Sequence, residues 1–251
     1  MKQQITNTIL MIRPVNFRMN EQTAINNFYQ KKLKDLSNKE IQQKALLEFN
    51  ALVEKLKDVG VNVIVIEDTK VPDTPDSIFP NNWITFHQNG TVAVYPMFAE
   101  NRRLERREDI LDIVEEKGFK IKNVVDYTSA EEEDLFLEGT GSLVLDRDNR
   151  KAYCALSPRA DEDLLIEFCE DFEYTPVSFH AYHTVNKERK LIYTGALYDS
   201  PAKMSSDGSV KYINGEPSQF FVRDAIQSTL ENNEVAVKET RAHGCSVKYV
   251  Q

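Results

Sequence analysis

A repeating order of elements constrains this chain more than any single motif. Thr8 to Arg13 reads as a short apolar strand. Ser37 and Glu40 form a capping box, and Ile41, Leu46, Leu47, Phe49, Leu52, Val53 and Leu56 follow a helical period behind it. Gly60 closes that helix, and Val61 to Ile66 is a buried strand. The next stretch repeats the order with a hairpin added. Trp83–Phe86 and Thr91–Tyr95 pair across Asn89-Gly90, a helix is predicted from about Arg102 to Lys117 with Gly118 as its stop, and a strand runs from Lys120 to Val125. A third pass gives a hairpin from Gly141 to Leu156 around Asp148-Asn149, a helix from Asp161 to Cys169 and a strand from Thr175 to Phe179. The period is roughly fifty residues, in the range of repeat architectures. Each unit is too small to bury its own apolar face, so the units are expected to pack around a shared axis.

The fold class expected is therefore α/β, built from hairpin–helix–strand units. No Ser/Gly linker or low-complexity tract interrupts the chain, which reads as one domain over residues 1–251. After Tyr193 there is room for one further unit: Ser209, Asn214 and Gly215 suggest a hairpin, and Ser218 to Leu230 a last helix. A strand is expected at Val247 to Val250.

Charge and composition exclude several classes. The net charge of −9 argues against nucleic acid as a partner. No apolar run approaches the ~18 residues of a membrane helix, and the start lacks an apolar signal segment, so a cytoplasmic protein is expected. Three cysteines spread over some ninety residues form no disulfide framework and have no zinc-type spacing.

If the units share an axis, functional residues come from equivalent loops. The first such loop carries Asp73, Asp76, Asn81 and Asn82; the second carries Asp126, Glu131 to Asp134, and Glu138. Asp76 is either a turn former or a ligand group. Glu138 stands before Gly139 at the head of a hairpin, among Phe136, Leu137, Leu143, Val144 and Leu145, so its carboxylate is expected to be buried or paired. Arg159, in Ser157-Pro158-Arg159, lies where the hairpin meets the next helix. A buried carboxylate beside an arginine suits a cationic substrate that also carries a carboxylate.

Arg102-Arg103-Leu104-Glu105-Arg106-Arg107 is either a solvated helix face or a substrate contact. Cys154 and Cys169 fit inert buried thiols, whereas Cys245, after His243-Gly244, is placed at a turn where a thiolate could react. His87 is expected to be solvent-exposed in its turn. His180 and His183 follow the third strand, in a loop equivalent to those of Asp76 and Glu138, either as an acid/base or as surface histidines.

These residues resemble the guanidine-modifying (pentein) superfamily: arginine deiminases, dimethylarginine dimethylaminohydrolases and amidinotransferases, with the bacterial citrulline-utilisation hydrolases most similar. The segments that carry the resemblance are Met11-Ile12-Arg13-Pro14-Val15-Asn16-Phe17, Phe79-Pro80-Asn81-Asn82-Trp83, Asn101-Arg102-Arg103-Leu104-Glu105-Arg106-Arg107 and Leu137-Glu138-Gly139-Thr140-Gly141-Ser142. It covers residues 5–193, with 194–251 divergent. The resemblance implies a pentein-type five-bladed α/β propeller, here short at its C-terminal end. It also implies attack by a cysteine thiolate on a guanidinium or ureido carbon of an arginine- or citrulline-like amino acid, without metal or organic cofactor.

Carried over by position, Cys245 is the nucleophile, Glu138 orients the histidine or the substrate, and Asp76 binds the planar group with Asn82 beside it. Arg103 and Arg159 clamp the amino acid's carboxylate. Relatives carry the catalytic histidine in a Tyr-His-Thr-Asn segment where this chain has Tyr193-Thr194, and His183, in Tyr182-His183-Thr184, is the substitute. A hydrolase is the favoured reading, with a small-molecule substrate. A catalytically inactive relative that binds such a ligand or a protein partner, an amidinotransferase, and a homo-oligomer that completes the short C-terminal end all remain open.

Overall fold

The computed structural model describes residues 6–27, 30, 35–185, 188–191, 202–204, 210–212 and 245–249. It divides into two compact units, Met1–Gly139 and Thr140–Gln251.

In the first unit, β1 (Thr8–Arg13) and β2 (Asn62–Glu67) pair in parallel, Ile12 against Ile66, with the long helix α2 (Asn38–Asp58) between them in sequence. Parallel pairing needs such a crossover. The capping box is present as expected: Ser37 accepts from the Glu40 N–H while the Glu40 side chain accepts from the Ser37 N–H. A short helix, α1 (Glu21–Ala24), lies in the connection from β1 to α2. The hairpin over Asn89-Gly90 also forms, from β3 (Ile84–Phe86) and β4 (Thr91–Val94), and β5 (Asn123–Asp126) joins β4 in parallel. Ile12, Ile64, Ile66, Trp83, Ile84, Val92, Met97, Ile110 and Val114 close one apolar core.

One expected element is divided. In place of a helix from about Arg102 to Lys117 there are two, α3 (Glu100–Arg103) and α4 (Asp109–Glu116). The chain between them turns so that Arg102, Arg103 and Arg106 reach different acceptors, described below. Those tertiary contacts outweigh continuation of the helical ladder.

The second unit repeats the order. After the single helical turn α5 (Gly139–Ser142), which separates Glu138 from the hairpin it was expected to head, β6 (Leu143–Asp146) and β7 (Lys151–Ala155) pair antiparallel. Helix α6 (Glu162–Asp171), capped by Asp161, leads to β8 (Thr175–Val185), which lies parallel to β7. Leu164, Leu165 and Phe168 of α6 are buried, and the Phe168 ring stacks 4.7 Å from Phe172 and 5.9 Å from Tyr174.

Strand β8 is longer than the expected Thr175–Phe179. It continues because β9 (Glu188–Leu191) and β12 (Cys245–Tyr249) pair with it, so His180 and His183 lie within a strand rather than in a loop. Strands β10 (Ala202–Met204) and β11 (Val210–Tyr212) pair antiparallel and flank Ser209 in sequence, one of the three residues that suggested a hairpin, while Asn214 and Gly215 fall outside the described residues. The helix expected over Ser218 to Leu230 falls outside the described residues.

Candidate active site

Three buried carboxylates act on one buried guanidinium in the first unit. Asp76, Glu105 and Glu138 are 7%, 5% and 2% exposed, and Arg102 is 3% exposed. Arg102 donates from Nε and Nη2 to the two Glu105 oxygens, each at 2.9 Å. Its Nη2 also faces the Phe79 carbonyl at 3.1 Å, and its Nε lies 4.0 Å from Asp76 Oδ2. Burial works against the Arg102 charge, but the charge and hydrogen bonds of Glu105, with Glu138 and Asp76 behind them, hold its pKa above the ordinary value. Burial pushes the Glu105 carboxyl up to about 7 against the pull of Arg102, and Asp76 and Glu138 add to the rise. Three acidic side chains thus surround one guanidinium in a desolvated place.

The loop residues reach these positions through local geometry. A 3₁₀ turn, Pro80–Asn82, brings Asn82 to Glu138: Asn82 Nδ2 donates to Glu138 Oε2 at 3.0 Å, and the Phe98 N–H donates to Oε1 at 3.2 Å. Gly139 makes this approach possible. Its φ is +40°, and a Cβ there would stand 2.5 Å from the Asn81 carbonyl oxygen and 3.1 Å from that of Asn82. Asp76 is held from the β1–α2 connection: Asn20 Nδ2 donates to Oδ2 at 2.8 Å, and the Thr23 hydroxyl lies within reach of Oδ2 (3.1 Å), Gln30 Oε1 (3.0 Å) and the Asn20 carbonyl (3.2 Å). Earlier in that connection Arg18 grips Asp73 with both terminal nitrogens, which holds the Asp73 carboxyl below its ordinary range.

The arginine run is neither a uniform solvated face nor a single contact. Arg103 donates from Nε to the Met97 carbonyl at 2.9 Å, lies 3.6 Å from Glu131 and sits over the Phe136 ring at 5.6 Å. Arg106 forks onto Glu131, and Arg107 onto Asp109. His87 is buried, contrary to the expectation of an exposed turn residue. Its Nε2 lies 3.0 Å from Thr85 Oγ1, which in turn meets the Tyr95 hydroxyl at 2.7 Å.

The second unit holds the remaining candidates. Arg159 is buried in the tight turn Ser157–Ala160, where its carbonyl accepts from Ser142 Oγ at 3.0 Å. Cys154 and Cys169 are buried, and burial raises both thiols, Cys169 to about 11. In the antiparallel pairing of β12 with β8, Cys245 stands directly opposite His183. Among the described residues no group of three or more His, Cys, Asp or Glu side chains is arranged to hold a metal ion, and no helix is long and apolar enough to cross a membrane.

Sequence reasoning did not foresee Glu105 as the partner of Arg102, nor the contacts of Asn20, Thr23 and Asn101 around Asp76. A weak signal existed: Asn20-Glu21 is an N-cap pattern, and Asn101 opens a run already singled out for its arginines.

Comparison with solved structures places this architecture. The substrate-bound N-terminal domain of ArgZ, a cyanobacterial arginine dihydrolase, in a cysteine-to-serine variant, matches with a TM-score of 0.54 at 18% identity over 88% of this chain and 71% of that one. Complete apo ArgZ gives 0.56 at 18% identity over 88% of this chain, which spans only 30% of it. A cysteine-to-serine variant of the Pseudomonas aeruginosa DDAH, complexed with citrulline, gives 0.50 at 14% identity, covering 88% of this chain and 73% of that one. These likenesses establish a shared mixed α/β fold. No curated protein sequence matches the chain. Residues 13–204 match the family model described as N,N dimethylarginine dimethylhydrolase, eukaryotic, and the chain belongs to that family, within the pentein superfamily.

Proposed function

We propose that this protein is a hydrolase of the guanidino or ureido group of an arginine- or citrulline-like amino acid, acting through a cysteine covalent intermediate. The observation that carries the reading is the cluster of buried acidic side chains around Arg102: Asp76, Glu105 and Glu138. Such a place favours a second cation, and a substrate guanidinium supplies one. Family membership supports it, as do the titles of the relatives: ArgZ is an arginine dihydrolase, and the Pseudomonas DDAH was bound to citrulline. The reading takes residues 1–251 as one pentein-type propeller domain.

In this reading Asp76 holds the planar group with Asn82 beside it, Glu138 orients the substrate or the histidine, and Arg103 and Arg159 hold the amino acid's carboxylate. The Cys245 thiolate adds to the central carbon, and the leaving nitrogen departs as ammonia or an amine, taking a proton from His183. Water then adds to the thiouronium-type carbon while His183 accepts its proton. Collapse breaks the C–S bond and returns the thiolate. The backbone register of Cys245 with His183 supports this pairing of nucleophile and base, since opposed positions of an antiparallel pair are neighbours.

The test is release of ammonia, dimethylamine, citrulline or ornithine from L-arginine, Nω,Nω-dimethyl-L-arginine and L-citrulline by the full chain. Turnover of one of them, abolished in Cys245→Ser, is the expected result. Turnover that persists undiminished in Cys245→Ser overturns the nucleophile assignment. No turnover of any of the three overturns the hydrolase reading.

A further inference from the structure

Asp76 is clamped by only one of its oxygens. Asn20 Nδ2 donates to Oδ2, Thr23 Oγ1 stands 3.1 Å from the same oxygen, and no described residue donates to Oδ1. Asp76 is 7% exposed, so the residue is not wholly sealed from solvent. A carboxylate gripped at one oxygen is held in one orientation.

Asn20 is 0% exposed, and its amide is used at both ends. Its Oδ1 accepts from the Gln22 N–H (3.1 Å) and from Asn101 Nδ2 (2.8 Å), while its Nδ2 reaches Asp76 and Asn101 Oδ1 (3.2 Å). The bond to Gln22 caps the short helix α1, and a serine could perform it. The reach to Asp76 is a separate task that needs the amide nitrogen. Asn101 makes a reciprocal amide pair with Asn20, and its own N–H is tied to the Gln22 side chain at 2.9 Å. Asn20 therefore cannot rotate away without breaking bonds on both sides.

We infer that Asn20, held by Asn101, is a positioning residue for Asp76: it fixes Oδ2 and with it the orientation of the carboxylate that meets the substrate's planar cation. This rests on the reading of Asp76 as a substrate-holding group. Asn20 acts through Asp76, so its loss is expected to weaken substrate binding and leave the chemical step nearly alone.

The experiment compares Asn20→Ser, Asp76→Asn and their double variant in the full chain. The probe is L-arginine or Nω,Nω-dimethyl-L-arginine, whichever is turned over faster. Asn20→Ser keeps the helix cap and is expected to raise KM about tenfold with kcat changed less than about threefold. In the Asp76→Asn background the same substitution is expected to change KM by less than about twofold, because the group it acts through is gone. Asn101→Ser releases Asn20 from its reciprocal amide pair and is expected to raise KM in the same direction, so the test survives if Asn20→Ser does not fold.

Equal effects of Asn20→Ser in both backgrounds, a fall in kcat at unchanged KM, or no effect at all overturns the positioning role alone. An Asp76→Asn variant with unchanged KM, or a wild-type chain that turns over neither probe, overturns the role of Asp76 and this inference with it.

Discussion

Arg102 and Glu105 form a two-pronged ion pair, with Nε and Nη2 each 2.9 Å from a carboxylate oxygen and both side chains sealed from solvent. The pair stands one helical turn apart in sequence, yet it is a tertiary feature, because Arg102 also ties down the carbonyls of Asp76 and Phe79. It anchors the loop that carries Asp76 and leads to Asn82.

Breaking the pair from one side is expected to be costly. Arg102→Met at pH 8 leaves Glu105 buried without its counter-charge and should destabilise the fold by about 3–5 kcal/mol. Adding Glu105→Leu removes the stranded charge and should recover part of that loss. Urea denaturation of the single and double variants measures both. A double variant less stable than Arg102→Met would contradict this account.

Glu105 also sets a pH dependence. Its folded carboxyl is pushed up to about 7 from an ordinary 4.5, so between those values the folded chain binds a proton that the unfolded chain does not. The stabilisation is present in full below about 4.5 and is lost as pH rises through 7. Glu105→Gln keeps the shape and removes the titration. The melting temperature of wild type relative to Glu105→Gln should therefore fall between pH 5 and pH 8, by an amount equivalent to on the order of 2 kcal/mol. A difference that does not vary with pH would refute it.

Gly139→Ala is expected to cost about 1–3 kcal/mol, because a Cβ would press on the Asn81 and Asn82 carbonyls and the backbone there is left-handed. The displaced loop should also loosen the Asn82–Glu138 hydrogen bond. Thermal unfolding reads the first effect, and KM and kcat on the substrate identified above read the second. A variant with wild-type stability would mean that the loop yields freely.

Cys154 and Cys169 should be silent toward alkylation. Burial raises both thiols, so neither carries appreciable thiolate at pH 8. Iodoacetamide at that pH followed by peptide mass spectrometry is expected to leave both unmodified in the native chain and to modify both after unfolding. Native-state label on either would show that its surroundings open.

The legible part of the fold was local. Ser37 with Glu40 and Asn89 with Gly90 specify a helix start and a hairpin turn from side-chain and backbone chemistry within a few residues, and both formed as read. The alternation of apolar segments then gave the order hairpin, helix, strand, because period and turn chemistry are properties of a short window. At the site, Glu138 was legible for the same reason: its apolar neighbours marked it for burial, and it is 2% exposed.

What failed were readings that depend on distant partners. The run from Arg102 to Arg107 looked like one helix face, but its side chains go to Glu105, Met97, Glu131 and Asp109, and the helix divides to let them. His87 looked exposed in its turn, yet Thr85 and Tyr95 give it a buried polar partner chain. Strand β8 ran past its expected end because β9 and β12 supplied hydrogen bonds that no window around Phe179 contains.

The sequence by itself determined most of the elements of residues 8–179, their order and the family, since these rest on periodicity, capping and motif residues close together in the chain. Only the tertiary structure decided which polar groups meet. Asn20 reaches Asp76 across 56 positions, and Asn82 reaches Glu138 across the same span. A hydrogen bond between distant residues leaves no local pattern, because its energy depends on a distance that folding alone sets.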